Sequence, residues 1–387
     1  MLLGRRQSFS KLQAIFKQNK SPVAWFHCAS LGEFEQGRPV IESYKINYPT
    51  HKILLTFYSP SGYEVRKNYA GADLVCYLPF DTLHNANKFL TIVNPTIAFF
   101  VKYEFWYHYL RLLHHQFVPT LSISAIFRED QIFFQKYTGK FFREMLGYFS
   151  HIFVQNKTSK DLLKSIGLGA KVTRSGDTRF DRVRAIAVTQ KVIPLAKEFK
   201  NDQKLLIVGS AWAADFETLL PFLNTFEAPL KVIFAPHEVH PEEIASMQTR
   251  LAKPSIKYSG ANAENITAYD ILWIDSIGML ASLYQYADFA WIGGGYGKGL
   301  HNTLEAATFG LPLFFGNKNY RKFQEANDLI VAGSAYPIEN TAQFEMLFKD
   351  LYHNPYKWHT KSQVSLQYVE QNIGATQQIM DWVLKNN

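Results

Sequence analysis

The 387-residue chain has only two cysteines, Cys28 and Cys76, and no C-x-x-C pair. That shortage argues against a disulfide scaffold and a thiolate zinc site, fits a reducing compartment and leaves both thiols to core packing. Long apolar runs are also missing: nothing approaches the roughly twenty consecutive apolar residues of a membrane span. The opening MLLGRRQSFSKLQAIFKQNK lacks the apolar segment of a secretory leader. The chain reads as cytoplasmic. Acidic residues are outnumbered, 33 against 41 basic, and the net charge of +8 points to an anionic partner: nucleic acid, nucleotide or the phosphates of a lipid surface. Apolar residues are not scarce. At 47% of the chain they exclude a largely disordered protein, and the length favours two domains over one core.

Short apolar, β-rich runs recur, each followed by a helix-like stretch. They lie at 23–30, 52–59, 74–80, 96–104, 119–125 and 151–156, with a short one at 172–175. The second half repeats the rhythm at 204–210, 230–237, 270–275, 289–295 and 311–316. Continuous apolarity predicts strands buried on both faces, and the alternation predicts βαβ units in a doubly wound parallel sheet. A charged stretch containing Pro194 runs from Arg182 to Gln203. The predicted division is a first domain over 1–186, a linker over 187–203 and a second domain over 204–387, whose last helix is free to pack back on the first. The expected architecture is α/β, two Rossmann-like domains facing a cleft, with ligands beyond the C-terminal strand ends.

The most specific stretch is WIGGGYGKGLHNTLEAA, 291–307. A strand ends in three glycines, Gly297 and Gly299 follow, and a helix is predicted to begin near His301 and Asn302. Close backbone approach and a helix N-terminus make a phosphate site. The plainer reading is a helix capped by Asn302 with Glu305 three residues on. The dinucleotide fingerprint fails at Lys298 and Leu300, and the P-loop fails because Gly299 follows Lys298. Elsewhere in this half, VGSAW and Pro236-His237 put small or polar groups at strand ends, and Ile277-Gly278-Met279 stands at a predicted helix start. His237 is either a ligand contact or structural, and His240 has the weaker claim.

In the first half, HCASLGEFEQGRP places Glu33 and Glu35 where a strand meets a helix, KYEFW places Glu104 at a strand end, and SGDTRFD places Arg179 between Asp177 and Asp181. Opposite charges at one cleft could stabilise a transition state, or they form a surface ion pair. The segment 127–149 interleaves Arg and Lys with Phe and Tyr. It is either a basic, aromatic surface for lipid headgroups or a core-facing helix with a solvated back. No nucleic-acid recognition module accompanies it.

Together WFHCASLGEFEQGRPVIE, YEFW, SGDTRFD, GGGYGKGLHNTLEAA and FGLPLFFGNKNYRKFQEANDL resemble the 3-deoxy-D-manno-octulosonic acid (Kdo) transferases of lipopolysaccharide synthesis, in order from about residue 23 to 330. The resemblance implies a GT-B glycosyltransferase that moves Kdo from CMP-Kdo to a lipid A precursor without metal or NAD. It implies Glu33 as general base, transition-state roles for Glu104 and Arg179, and nucleotide contacts at Pro236, His237, Ile277, Gly278, Met279, Asn302, Thr303, Leu304 and Glu305. Arg179 stands where many members have lysine, and Thr303 where they have proline. Pro236-His237 lacks the usual following arginine. Members usually begin with a hydrophobic anchor, so the expected location is the cytoplasmic face of the inner membrane, held peripherally or through an anchor upstream of this sequence. The rival readings are a GT-B enzyme using a UDP-sugar and a different acceptor, and a non-catalytic sugar-nucleotide-binding protein at the membrane surface.

Overall fold

The computed structural model describes residues 2–135, 139–189 and 191–386. Two compact units emerge, Met1–Arg182 with Asn372–Asn387, and Val183–Gln371. Each is built on one seven-stranded, all-parallel sheet.

The first sheet comprises β1 (Val23–Cys28), β2 (Lys52–Phe57), β3 (Leu74–Tyr77), β4 (Ile97–Val101), β5 (Thr120–Ala125), β6 (His151–Val154) and β7 (Val172–Arg174), in the order β3-β2-β1-β4-β5-β6-β7. All six residues of β1 are buried, because alternate side chains enter two different cores. Trp25 joins Phe89, Tyr109 and Leu146 on one face. Phe26 joins Phe34, Tyr44 and Phe99 on the other. The Phe26 and Phe99 rings stack 4.3 Å apart, and burial of each contributes about 1.5–3 kcal/mol.

The second face is completed by the C-terminal helix Ala375–Asn386, which buries Ile379, Met380 and Val383 there. Asp181 caps it, accepting from the backbone N–H groups of Gly374 at 2.5 Å and Thr376 at 2.7 Å. That cap and that apolar stripe explain why 372–387 belongs with the first unit.

The division predicted from sequence placed a linker at 187–203. The structure instead divides after Arg182, and this segment carries a helix, Pro194–Lys200, that buries Ala196 and Phe199. Lys200 Nζ also pairs with Asp288 at 2.9 Å, so the helix belongs to the second unit.

The second sheet comprises β8 (Lys204–Ala211), β9 (Leu230–Pro236), β10 (Ser255–Lys257), β11 (Ile271–Trp273), β12 (Phe289–Ile292), β13 (Leu313–Gly316) and β14 (Ala335–Ile338), in the order β10-β11-β9-β8-β12-β13-β14. The apolar runs in the sequence did not point to β10 or β14. Both are short edge strands: β10 (SIK) has a single apolar residue, and the AYPI of β14 is interrupted by Pro337, which is tolerated only at an edge.

Each sheet therefore has a topological switch point, between β1 and β4 in the first unit and between β8 and β12 in the second. Such points open a crevice at the strand C-termini.

The 127–149 segment resolves largely toward the plainer reading. Phe127, Phe133 and Phe149 are buried, Phe134, Phe142 and Tyr148 pack against the same core, and Phe141 remains 48% exposed. Lys136, Tyr137 and Thr138 of this segment lie outside the described residues.

Candidate active site

Glu33 follows β1 and Glu104 follows β4, so the two carboxylates flank the switch point of the first sheet. Glu33 occupies the first turn of the helix Leu31–Asn47, half-buried. Ser30 is the residue before that helix, and its hydroxyl donates to Glu33 Oε2 instead of capping the backbone. Glu104 lies at the β4 end, where Lys102 turns the chain with a φ of 69°. Its Oε2 accepts from Trp106 Nε1 at 2.7 Å and lies 3.1 Å from His27 Nε2. Burial pushes the Cys28 thiol well up, and the negative charges of Glu33 and Glu104 push it further. Both carboxylates thus act on the same end of β1. Glu35 pairs with Arg66 at 2.8 Å and has no evident chemical task.

Arg179 stands in the first turn of the helix Thr178–Val188, pinned to Asp177 through Nε at 2.8 Å and a terminal nitrogen at 2.7 Å. Burial raises the Asp177 carboxyl, but Arg179's charge and hydrogen bonds, with help from Gln36, outweigh it and hold it below the ordinary range. Gln36 comes from the same helix as Glu33 and donates to both Asp177 oxygens at 3.1–3.2 Å. The ion pair is therefore anchored on a buried carboxylate and tied to the Glu33 helix, unlike a loose surface pair.

In the second unit, the turn after β12 works by close approach. A Cβ on Gly294, whose φ is +88°, would lie 2.3 Å from Gly299 O, and one on Gly295 would lie 2.4 Å from Gly316 O. Asp215, 1% exposed, fastens this turn: it accepts from Gly294 N–H at 3.1 Å, Trp291 Nε1 at 3.0 Å and Trp212 N–H at 2.9 Å. Lys298 Nζ lies 5.5 Å over the Trp212 ring, and Lys322 Nζ reaches the Gly299 side of the turn.

The helix predicted near His301 and Asn302 is a single turn, Leu304–Ala307, and Thr303 precedes it in place of Asn302. Asn302 Oδ1 accepts from Leu304 N–H at 3.2 Å while its amide donates to Glu305 at 3.1 Å. An Asx-type turn has replaced the capping box, and one turn of helix carries little dipole. Positive charge here comes from Lys298 and Lys322. Similarly, the helix after Ile277-Gly278-Met279 is only Leu280–Leu283. Ile277 and Gly278 nonetheless meet Ser210, Pro236 and His237 around a cavity of about 150 Å³; Met279 instead accepts from Ser276 Oγ at 3.1 Å.

Trp212 and His301, neither of them singled out as a contact by the sequence, complete this region. Trp212 stacks on His237 at 4.5 Å, His237 lies 4.4 Å from His301, and the Trp212 indole N–H donates to His301 Nε2 at 3.2 Å. Indole is only a donor, so His301 carries its proton on Nδ1. VGSAW was the available signal, but its partner lies 89 residues away. Burial, with the neighbouring His237, pulls His301 down to about 4. A histidine in the unfolded chain titrates near ~6.5, so below that pH the unfolded state binds the extra proton and stability falls until about pH 4. Roughly halved for partial exposure, the loss from pH 7 to 5 is about 1 kcal/mol. His301→Asn is expected to shrink the difference between urea midpoints at the two pH values by that amount; His51 and His151, which burial also pulls down, supply a remainder of the same sign.

Among the described residues, no group of three or more His, Cys, Asp or Glu could hold a metal ion.

A family model described as 3-Deoxy-D-manno-octulosonic-acid transferase (kdotransferase) matches residues 4–182, ending where the first segment of the first unit ends. The 3-deoxy-D-manno-octulosonic acid transferase of Chlamydophila psittaci is 26% identical over 88% of this chain and 79% of its own length. Its namesakes in Aquifex aeolicus (25%; 84% and 85%) and Rickettsia bellii (22%; 95% and 88%) are similar along most of both chains. Among solved structures, the UDP-GlcNAc 2-epimerase of Neisseria meningitidis superposes with a TM-score of 0.65 at 15% identity, covering 95% of this chain and all of that one. Acinetobacter baumannii MurG gives 0.58 at 13%, covering 94% and 99%. These two share the fold. With its two parallel sheets, its two strand-end carboxylates and its glycine turn, the chain has the GT-B fold, carries a 3-deoxy-D-manno-octulosonic-acid transferase domain over residues 4–182 and is similar along most of its length to transferases of that name.

Proposed function

We propose that this protein transfers Kdo from CMP-Kdo to a lipid A precursor, with Glu33 as general base and no metal. The observation that carries this reading is the division of labour between the switch points. Glu33 and Glu104 stand at one, while the other has a glycine turn with Lys298 and Lys322 and the small cavity beside His237. The acceptor hydroxyl gives its proton to the Glu33 carboxylate as its oxygen bonds to the anomeric carbon of Kdo. The bond from that carbon to phosphate oxygen breaks, and CMP leaves with the electron pair. A carboxylate serves as base when it is ionised and within hydrogen-bond reach of the hydroxyl. The Ser30 hydroxyl orients Glu33 by donating to one of its oxygens, and lysines stabilise charge on the departing phosphate. The test is CMP release from CMP-Kdo with and without a lipid A precursor in detergent, in the presence of a chelator. Acceptor-dependent release that survives chelation is expected. Equally fast UDP release from UDP-sugars, or CMP release without the lipid, overturns the reading.

The working location we propose is the cytoplasmic face of the inner membrane. No helix among the described residues is long and apolar enough to cross a membrane. Phe80, Leu83 and Phe141 are 44%, 50% and 48% exposed. Asp81 ties the first two to the start of the helix Tyr107–His115, accepting His108 N–H at 3.1 Å, and Tyr107 lies 4.9 Å from the Phe141 ring. Arg128 and Lys140 are exposed nearby in sequence to Phe141. The protein is expected to float with anionic vesicles at low salt and less at high salt, and a Phe80→Ser, Phe141→Ser double variant to float several-fold less. No flotation with anionic vesicles contradicts this placement.

A further inference from the structure

His27 is the last residue but one of the buried strand β1, where a histidine reads as core, and nothing in its local sequence marks it as functional. Its side chain is 0% exposed. In the sheet it sits opposite Thr56 of β2 and Phe100 of β4. Its Nδ1 lies 2.8 Å from Thr56 Oγ1, and its Nε2 lies 3.1 Å from Glu104 Oε2.

The proton positions follow from the partners. The Trp25 indole N–H, which can only donate, gives its proton to Thr56 Oγ1 at 2.8 Å. Thr56 then has one hydroxyl proton to place. His27 Nδ1 at 2.8 Å is a better acceptor position than Phe26 O at 3.4 Å. With Nδ1 accepting, a neutral His27 carries its proton on Nε2 and donates it to Glu104. Trp106 Nε1 donates to the same oxygen at 2.7 Å. The imidazole is itself held, edge-on to Trp106 at 5.5 Å and 83° and to Phe100 at 5.8 Å and 62°. Among the described residues, no hydrogen bond reaches Glu104 Oε1, while the side chain keeps 13% exposure. One oxygen is clamped by two N–H donors and the other is left to face outward.

We propose that His27 is a positioning residue for the transfer reaction: the Trp25–Thr56–His27 chain fixes the imidazole as its Nε2–H tautomer, and that N–H, with Trp106, sets the orientation of Glu104 toward the reacting sugar. The inference rests on the reading above in which Glu104 serves the reaction. A carboxylate misplaced by about 1 Å costs up to about 100-fold in rate without abolishing binding.

The experiment compares His27→Leu, His27→Gln, Thr56→Val and Glu104→Gln in the full-length protein, measuring kcat and donor KM by CMP release. It also records two-bond ¹H–¹⁵N spectra of the His27 ring in the unmutated protein. His27→Leu is expected to lose about 30–100-fold in kcat with donor KM within about threefold. His27→Gln, which keeps an amide N–H at similar reach, is expected to recover most of that loss. Thr56→Val is expected to lower kcat and to release the tautomer preference. The spectra are expected to report protonated Nε2 and unprotonated Nδ1. A folded His27→Leu with near-normal kcat, alongside an inactive Glu104→Gln, overturns the inference and leaves the role of Glu104 standing. Normal turnover by Glu104→Gln instead removes the reading on which the inference rests. If His27→Leu does not fold, the spectra decide: a proton on Nδ1 alone overturns the relay.

Discussion

Replacing Glu33 with glutamine is expected to lower kcat by about 10²–10⁴-fold while leaving donor KM nearly unchanged. Glutamine keeps the length and the acceptor oxygen, so Ser30 Oγ retains a partner and the helix Leu31–Asn47 still starts where it does. What disappears is the carboxylate proposed to take the proton. Steady-state CMP release with a lipid A precursor measures both constants. Glu35→Gln is the internal control: its partner is the half-exposed Arg66, and exposed pairs of this kind are worth little, so turnover within about twofold of normal is expected. Near-normal kcat in Glu33→Gln removes Glu33 as the base.

The second large effect is on stability. Asp215→Ala is expected to cost about 3–5 kcal/mol, read as a drop in the denaturant midpoint of the second unit's transition. Three N–H donors, from Trp212, Gly294 and the Trp291 indole, lose their acceptor at once, and each orphaned buried donor costs about 1–3 kcal/mol where water does not replace it. The expected cost lies below the full sum because Trp212, at the start of the helix Ala213–Thr225, is open to rehydration. Burial pushes the Asp215 carboxyl up, against those same hydrogen bonds, so part of its own desolvation cost is also removed. Because Gly294 belongs to the glycine turn, donor KM is expected to rise in whatever fraction remains folded. A midpoint shift equivalent to less than about 1 kcal/mol contradicts the role assigned to Asp215.

Much of the fold was legible because buried parallel strands announce themselves locally. VAWFHC, KILLTF and KLLIVGSA are continuous apolar runs whose neighbours in the sheet need not be known. Strands β10 and β14 were not legible: as an edge strand β10 needs only one apolar residue, and Pro337 argues locally against a strand at β14. The candidate site was legible where chemistry follows one segment, as at Glu33, Glu104 and the glycine turn. It was not legible where the geometry depends on partners far apart in the chain. His27 meets Glu104 across 77 residues and Gln36 meets Asp177 across 141, and neither pairing leaves a mark in local composition. The helix expected at Asn302 begins later, at Leu304, because the Asn302 side chain accepts from Leu304 N–H in an Asx-type turn, and the turn before it is tied by Lys318 and Asn319 N–H groups to Gly295 O.

The central claim is the transfer of Kdo to lipid, and intact-lipid mass spectrometry tests it most directly. Incubation of the purified protein with CMP-Kdo and a lipid A precursor in detergent is predicted to give a lipid product heavier by one or more Kdo residues. Formation of that product is predicted to keep pace with CMP release and to be lost in Glu33→Gln. CMP release that leaves the lipid mass unchanged contradicts the account.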